Sequence, residues 1–148
     1  MDKISTSNII VKPLNIVSNM KGDIYHCIKR SDEGYSGFGE AYFSTINSGQ
    51  IKGWNKHRRM TINLIVPTGS VKFVIVSLVD STTEINDIFE IVLSPDNYKC
   101  LTIPPGLWVA FKSEFKEKSL ILNIANMEHN SREMEKLDLG KISYRWDK

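Results

Sequence analysis

Short runs of β-branched and aromatic residues, each closed by a turn signal, recur along this chain at spacings of about 8–12 residues. That rhythm constrains the fold more than any other feature, because it leaves room for strands and little room for helices. Residues 8–18 read as a strand broken at Pro13, where a proline removes a ladder donor. Ile24 to Lys29 and Phe38 to Ser44 follow, separated by the polar, glycine-bearing loop 31–37. A strand beginning at Gln50 leads to Thr61–Val66 and then to Val71–Val79, with Pro67-Thr-Gly69 between the last two as a hairpin signal. Residues 80–87 read as a loop. Strands are then expected at Ile88–Leu93, Tyr98–Ile103, Leu107–Phe111 and Leu120–Ala125, the last two joined by a charged hairpin over 113–119. Ser131 to Leu137 alone looks helical, although Met134 stands where a capping box needs an acid. The pattern predicts an all-β sandwich or barrel, one domain over 1–148, with one short C-terminal helix.

The stretch Gln50 to Gly69 carries the best candidate site. A strand presents every second residue to one face, so Asn55 and His57 look the same way, while Lys52 falls on the other parity. If the strand lines a barrel, the first two share its cavity. A net charge of +2 is too small to imply nucleic acid, and the only basic cluster is Lys56 to Arg59. No apolar run reaches the ~18 residues of a membrane span. The first residues lack the pattern of a signal peptide. Cys27 and Cys100 make no metal spacing and are expected as free thiols. A cytoplasmic location is the expectation.

In this strand order the two turns Pro67-Thr-Gly69 and Pro104-Pro-Gly106 resemble those of the cupins. The first cupin motif has the form G-x5-H-x-H-x(3,4)-E-x6-G; Asn55-Lys-His57, Ile62 and Gly69 reproduce its spacing and keep one histidine and the glycine. In the second, P-x-G-x2-H, Val109 stands at the histidine position. One imidazole and an amide fall short of the three or four donors a divalent metal wants, so no metal and no cofactor are expected. Within the cupins the chain resembles the dTDP-4-dehydrorhamnose 3,5-epimerases and related sugar-nucleotide ketoisomerases. Those enzymes carry R-G-L-H-x-Q, a glycine-ended turn, P-x-G-x-x-H and a terminal I-x-W. Here stand Lys52-Gly-Trp-Asn-Lys-His57, Gly69, Pro104-Pro-Gly106 and Ile142-Ser-Tyr-Arg-Trp146, with Glu40 and Phe43-Ser44 in the preceding strand.

The resemblance implies a cupin jelly-roll β-barrel and a homodimer whose swapped N-terminal strands cover the partner's cavity. It also implies a dTDP-linked keto-sugar as ligand, in cell-surface polysaccharide or lipopolysaccharide biosynthesis. Its chemistry begins with a histidine that takes the proton beside the sugar ketone. Asn55, which accepts no proton, holds that position. The family's lysine, which steadies the enolate oxygen, lies near Ile62 or Asn63, and its tyrosine lies in the region of Asn123, Asn126 and Met127. Asp138 matches the aspartate that orients the missing histidine. Lys52 matches an arginine that contacts the nucleotide phosphates, as a point charge without the bidentate fork.

His57 and Asn55 are thus the candidate catalytic residues, His57 as base or as a hydrogen-bonded structural histidine, Asn55 as polariser of a ketone or as a satisfied core amide. Glu40, Lys52, Trp54, Arg59, Asn63 and Asn123 are the candidate substrate contacts. Trp54 and Trp108 either stack on the ligand or fill the core; Lys56, Arg58 and Arg59 either meet phosphate or form a solvated cluster. His26 and His129 are expected on the surface. Two functions follow: an isomerase or epimerase of a nucleoside-diphosphate keto-sugar, or a catalytically silent cupin that binds a sugar nucleotide or a partner protein.

Overall fold

The computed structural model describes residues 4–147. Among these residues twelve strands run in chain order as β1 (Ile10–Pro13), β2 (Ile16–Val17), β3 (Ile24–Tyr25), β4 (Glu40–Ile46), β5 (Ile51–His57), β6 (Ile62–Thr68), β7 (Val71–Leu78), β8 (Ile85–Leu93), β9 (Lys99–Ile103), β10 (Trp108–Ser113), β11 (Ser119–Ala125) and β12 (Met134–Lys136). They form two five-stranded antiparallel sheets, β1-β9-β6-β11-β4 and β12-β5-β10-β7-β8, with β2 and β3 as a separate small ribbon. The architecture is the all-β cupin-type jelly roll.

From β4 onward the chain changes sheets at nearly every connection, and β7–β8 is the one pair of consecutive strands that also pair as a hairpin within the two main sheets. This corrects two expectations. Pro67-Thr-Gly69 does not close a hairpin; it carries the chain from β6 in the first sheet to β7 in the second. Gly69 has φ 95°, and a Cβ there would lie 2.6 Å from that of Ser119, so the crossing needs glycine both for its conformation and for space. The backbone N–H of Ser70 donates to Ser119 Oγ at 3.1 Å, tying the turn to β11. The charged segment after Ser113 crosses likewise, from β10 to β11.

The largest core lies between the sheets, where Ile46, Leu64, Val66, Phe73, Leu101 and Ile121 meet. The outer face of the second sheet packs Trp54, Val74, Val76 and Ala110 under the C-terminal residues Leu137, Leu139 and Trp146. The outer face of the first packs Ile65, Tyr98 and Cys100 under Leu14, Ile16 and Cys27. Strands covered on both faces lose alternation, which is why β6 and β7 read as mostly apolar runs interrupted only by Asn63, Thr68, Lys72 and Ser77. β8 has solvent on one face and keeps a strict alternation.

The expected helix at 131–137 does not form. Residues after Asn130 make a turn, Glu133 N–H donating to Asn130 O at 2.8 Å, and Met134–Lys136 then pairs with β5. A helix of that length is marginal in water, whereas the open edge of β5 offers ladder partners. The 3-10 turns Thr6–Asn8 and Leu139–Lys141 are the helical elements among the described residues. The strand expected at Ile88 begins earlier, at Ile85.

Candidate functional site

A cavity of about 270 Å³ opens between the two sheets. Its floor is apolar, built from Leu64, Phe73, Val109 and Ile121, and its polar lining comes from Glu40, Tyr42, Ser44, Lys52, Asn55, His57, Asn123 and His129. A larger hollow of about 670 Å³ lies outside the sheets, beside residues 77–83; Lys56 and Trp108 line it, but none of the eight candidate catalytic and substrate-contact residues does.

Lys52, Asn55 and His57 line the cavity together, which strict alternation along β5 forbids. A bulge resolves the conflict: Val109 pairs with Asn55 and Ala110 with Gly53, so Trp54 is skipped in the β10 ladder. Bulges re-aim side chains in this way. Gly53 permits it, with φ 145° and a backbone so near β10 that a Cβ would sit 2.4 Å from that of Ala110. Trp54 keeps its backbone bonds to Leu137 on the other side, both at 3.1 Å.

His57 ends β5 deep in the cavity. Its Nδ1 is buried and has no hydrogen-bond partner among the described residues. Burial pushes its pKa below the ordinary value; the Glu133 carboxylate pulls upward and His129 adds to the fall. The imidazole is therefore neutral at pH 7 and has a lone pair free to take a proton. Asn123 on β11 is buried, and its Oδ1 is likewise without a partner among the described residues. Its Nδ2 donates to Tyr42 Oη at 2.9 Å. Burial, then the charge of Glu40, hold the Tyr42 hydroxyl above its usual pKa, against the lowering effect of the Asn123 amide. Lys52 sits exposed at the mouth, Nζ donating to Thr45 O at 2.7 Å.

Behind His57 the returning chain is anchored by Glu133. Its buried carboxylate accepts from the Met60 N–H at 2.6 Å. Burial pushes this group up, but the Arg59 and Met60 N–H groups and the Arg59 side chain hold it below the ordinary value.

Five of the eight candidates thus meet in one cavity: Glu40, Lys52, Asn55, His57 and Asn123. Three do not. Trp54 is fully buried on the opposite face of β5, its Nε1 donating to Leu139 O at 3.0 Å, so it fills the core instead of facing a ligand. Arg59 is three-quarters exposed beyond the end of β5 and pairs with Glu133 at 3.5 Å. Asn63 points to the other side of the first sheet, where its Nδ2 donates to Gly34 O and its Oδ1 accepts from Thr102. Tyr42 was missed, although the parity that includes Glu40 runs through Tyr42 and Ser44. His129 is exposed as expected, yet it borders the cavity, a position no local pattern reveals. Among the described residues no three His, Cys, Asp or Glu come together as a metal-binding group, and no helix is long and apolar enough to cross a membrane.

No protein-family model and no curated protein matches the chain. Solved structures do. A dTDP sugar isomerase from Desulfovibrio desulfuricans G20 is 26% identical, with a TM-score of 0.85 over 94% of this chain and 90% of that one. A dTDP-4-dehydrorhamnose 3,5-epimerase from Elizabethkingia anophelis NUHP1 is 15% identical, with a TM-score of 0.76 over 99% and 85%. A sugar 3,4-ketoisomerase from Thermoanaerobacterium thermosaccharolyticum, solved with TDP, is 17% identical, with a TM-score of 0.73 over 90% and 91%.

Proposed function

We propose that this chain is an epimerase-like cupin that acts on a nucleoside-diphosphate keto-sugar, dTDP-linked, in the cytoplasmic synthesis of cell-surface polysaccharide such as lipopolysaccharide. The observation that carries the reading is the convergence of a neutral, unpartnered His57 with Asn55, Asn123 and Lys52 in one cavity. The likeness to a dTDP sugar isomerase over nearly the whole of both chains supports it. His57 is the base for the proton beside the ketone. Lys52, at the mouth, meets the diphosphate. The cavity lies at the small end of ligand pockets, which run from about 300 Å³ upward, so it encloses the sugar while the nucleotide extends outward.

The experiment is deuterium incorporation from solvent into dTDP-4-keto-6-deoxyglucose. Exchange that a His57→Ala variant loses is the expected result; no exchange above that variant removes the catalytic reading. The second reading, a silent binder, draws on the motif resemblance alone, which sets Asn55 and Val109 against histidines of the cupin and epimerase patterns. Binding by calorimetry without conversion would select it.

A homodimer belongs to the same proposal. Strand β4 is one edge of the first sheet, and Phe43 on it and Phe38 just before it are 66% and 65% exposed; a second copy of the chain would cover them. Light scattering on Phe43→Glu should report a monomer if so, and an unchanged mass places the interface elsewhere.

A further inference from the structure

Asn123 and Tyr42 face each other directly across the β11–β4 ladder. The amide donates through Nδ2 to the tyrosine oxygen. Two consequences follow from counting donors and acceptors. The tyrosine has filled a lone pair and keeps its own hydrogen to give. The amide has used one of its two N–H groups and keeps a buried carbonyl oxygen with nothing among the described residues to accept from. A buried acceptor without a donor is rare in native proteins, and here it belongs to a residue that lines a cavity. We infer that Tyr42 and Asn123 form a paired reader for a carbonyl flanked by a hydroxyl, the tyrosine donating to the ketone oxygen and the amide accepting from the neighbouring hydroxyl.

This deepens the keto-sugar reading and rests on it. It selects, among keto-sugars, those with an intact α-hydroxy ketone. The groups facing this pair are Glu40 from the same strand, Lys52 and His57 from β5, and His129 from the segment after β11. Burial and Glu40 keep the tyrosine protonated at neutral pH, so its donor role holds there. With the ligand so held, His57 takes the proton from the hydroxyl-bearing carbon. The C–H pair becomes the new C=C bond, the carbonyl π pair moves to the oxygen that Tyr42 holds, and an enediolate results. Proton return to its original carbon gives the starting ketone or its epimer; return to the other carbon shifts the ketone by one position once the enediolate's hydroxyl proton has passed to the oxygen that Tyr42 holds.

The test compares calorimetric affinities for dTDP, dTDP-4-keto-6-deoxyglucose and the analogue of the latter lacking the 3-hydroxyl. The unaltered protein should prefer the 3-hydroxy ketone over its deoxy analogue by about 10- to 100-fold, the range expected when a buried acceptor is left unpaired. Asn123→Ala, with Asn123→Ser as a second variant and thermal melts as folding controls, should erase that preference. Tyr42→Phe should weaken both keto-sugars and leave dTDP unchanged. A preference that survives in both Asn123 variants overturns the inference, as does a parallel loss of dTDP binding. Failure to bind any of the three nucleotides sinks the keto-sugar reading together with this one. Binding of both keto-sugars with equal strength sinks this inference alone.

Discussion

Asn63 on β6 and Asn123 on β11 sit on neighbouring strands, one residue out of step, with Asn123 opposite Leu64 and Asn63 opposite Ile124. They are buried to similar depth, 4% and 8% exposed, and face opposite sides of one sheet. The outward amide is bonded at both ends: it donates to Gly34 O at 3.1 Å and accepts from the Thr102 hydroxyl at 2.5 Å and the Cys100 thiol at 3.4 Å. The inward amide has one bond and a bare oxygen. The difference separates structure from function by hydrogen-bond accounting alone. A buried polar group whose bonds are made holds the fold. One that is left short, in a cavity, has a bond still to be made by a group beyond the described residues.

The contrast is open to attack by mutation, and the largest effect should come from the outward side. Asn63→Ala strands the Gly34 carbonyl and the Thr102 hydroxyl and should cost about 2–3 kcal/mol, read from urea midpoints at constant slope. Asn123→Ala removes a single internal bond and should cost about 1 kcal/mol or less. Equal losses at the two sites would dissolve the distinction.

The next test uses pH. His57 has a folded pKa below its unfolded value of 6.5. Below 6.5 the unfolded chain takes up a proton that the folded protein refuses, so stability falls with pH from 6.5 down to the folded pKa and is flat above. Urea midpoints at pH 5.5 and 7.5 should differ in the unaltered protein and differ less in His57→Gln. An unchanged pH slope would mean that His57 is not the desolvated group of the cavity.

A modest effect is expected at Cys100, whose thiol burial pushes up to about 12. Because Asn63 Oδ1 keeps its Thr102 bond, Cys100→Ala should cost under about 1.5 kcal/mol, most of it packing. A larger loss would make the sulfur, and not the hydroxyl, the partner that matters on that side.

Much of this was legible in the residues. The strands, the all-β class and five cavity residues follow from alternation, turn chemistry and the order of the motifs. What alternation could not supply was non-local. Turn residues state that the chain reverses, not which sheet receives it, hence the two crossings that read as hairpins. The segment after Asn130 has helical composition, yet it met an unpaired β5 edge brought close by the rest of the fold. Asn63 lies between Ile62 and Leu64, both cavity residues, so parity alone assigns it outward; the alignment of motifs misled there. Arg59 failed because it lies past the end of its strand, where alternation no longer aims a side chain.

The skipped residue in β5 has a wider consequence. A strand whose phase slips midway is two short rulers laid end to end, one setting the entrance and the other the depth of the chamber. Deleting Trp54 would remove the slip and still leave Lys52 two ladder steps from Asn55, facing inward; a strand that took Trp54 into the β10 ladder would instead swing Lys52 away from the interior while His57 kept its aim. Entrance and interior can therefore drift separately during evolution, and they can be redesigned separately.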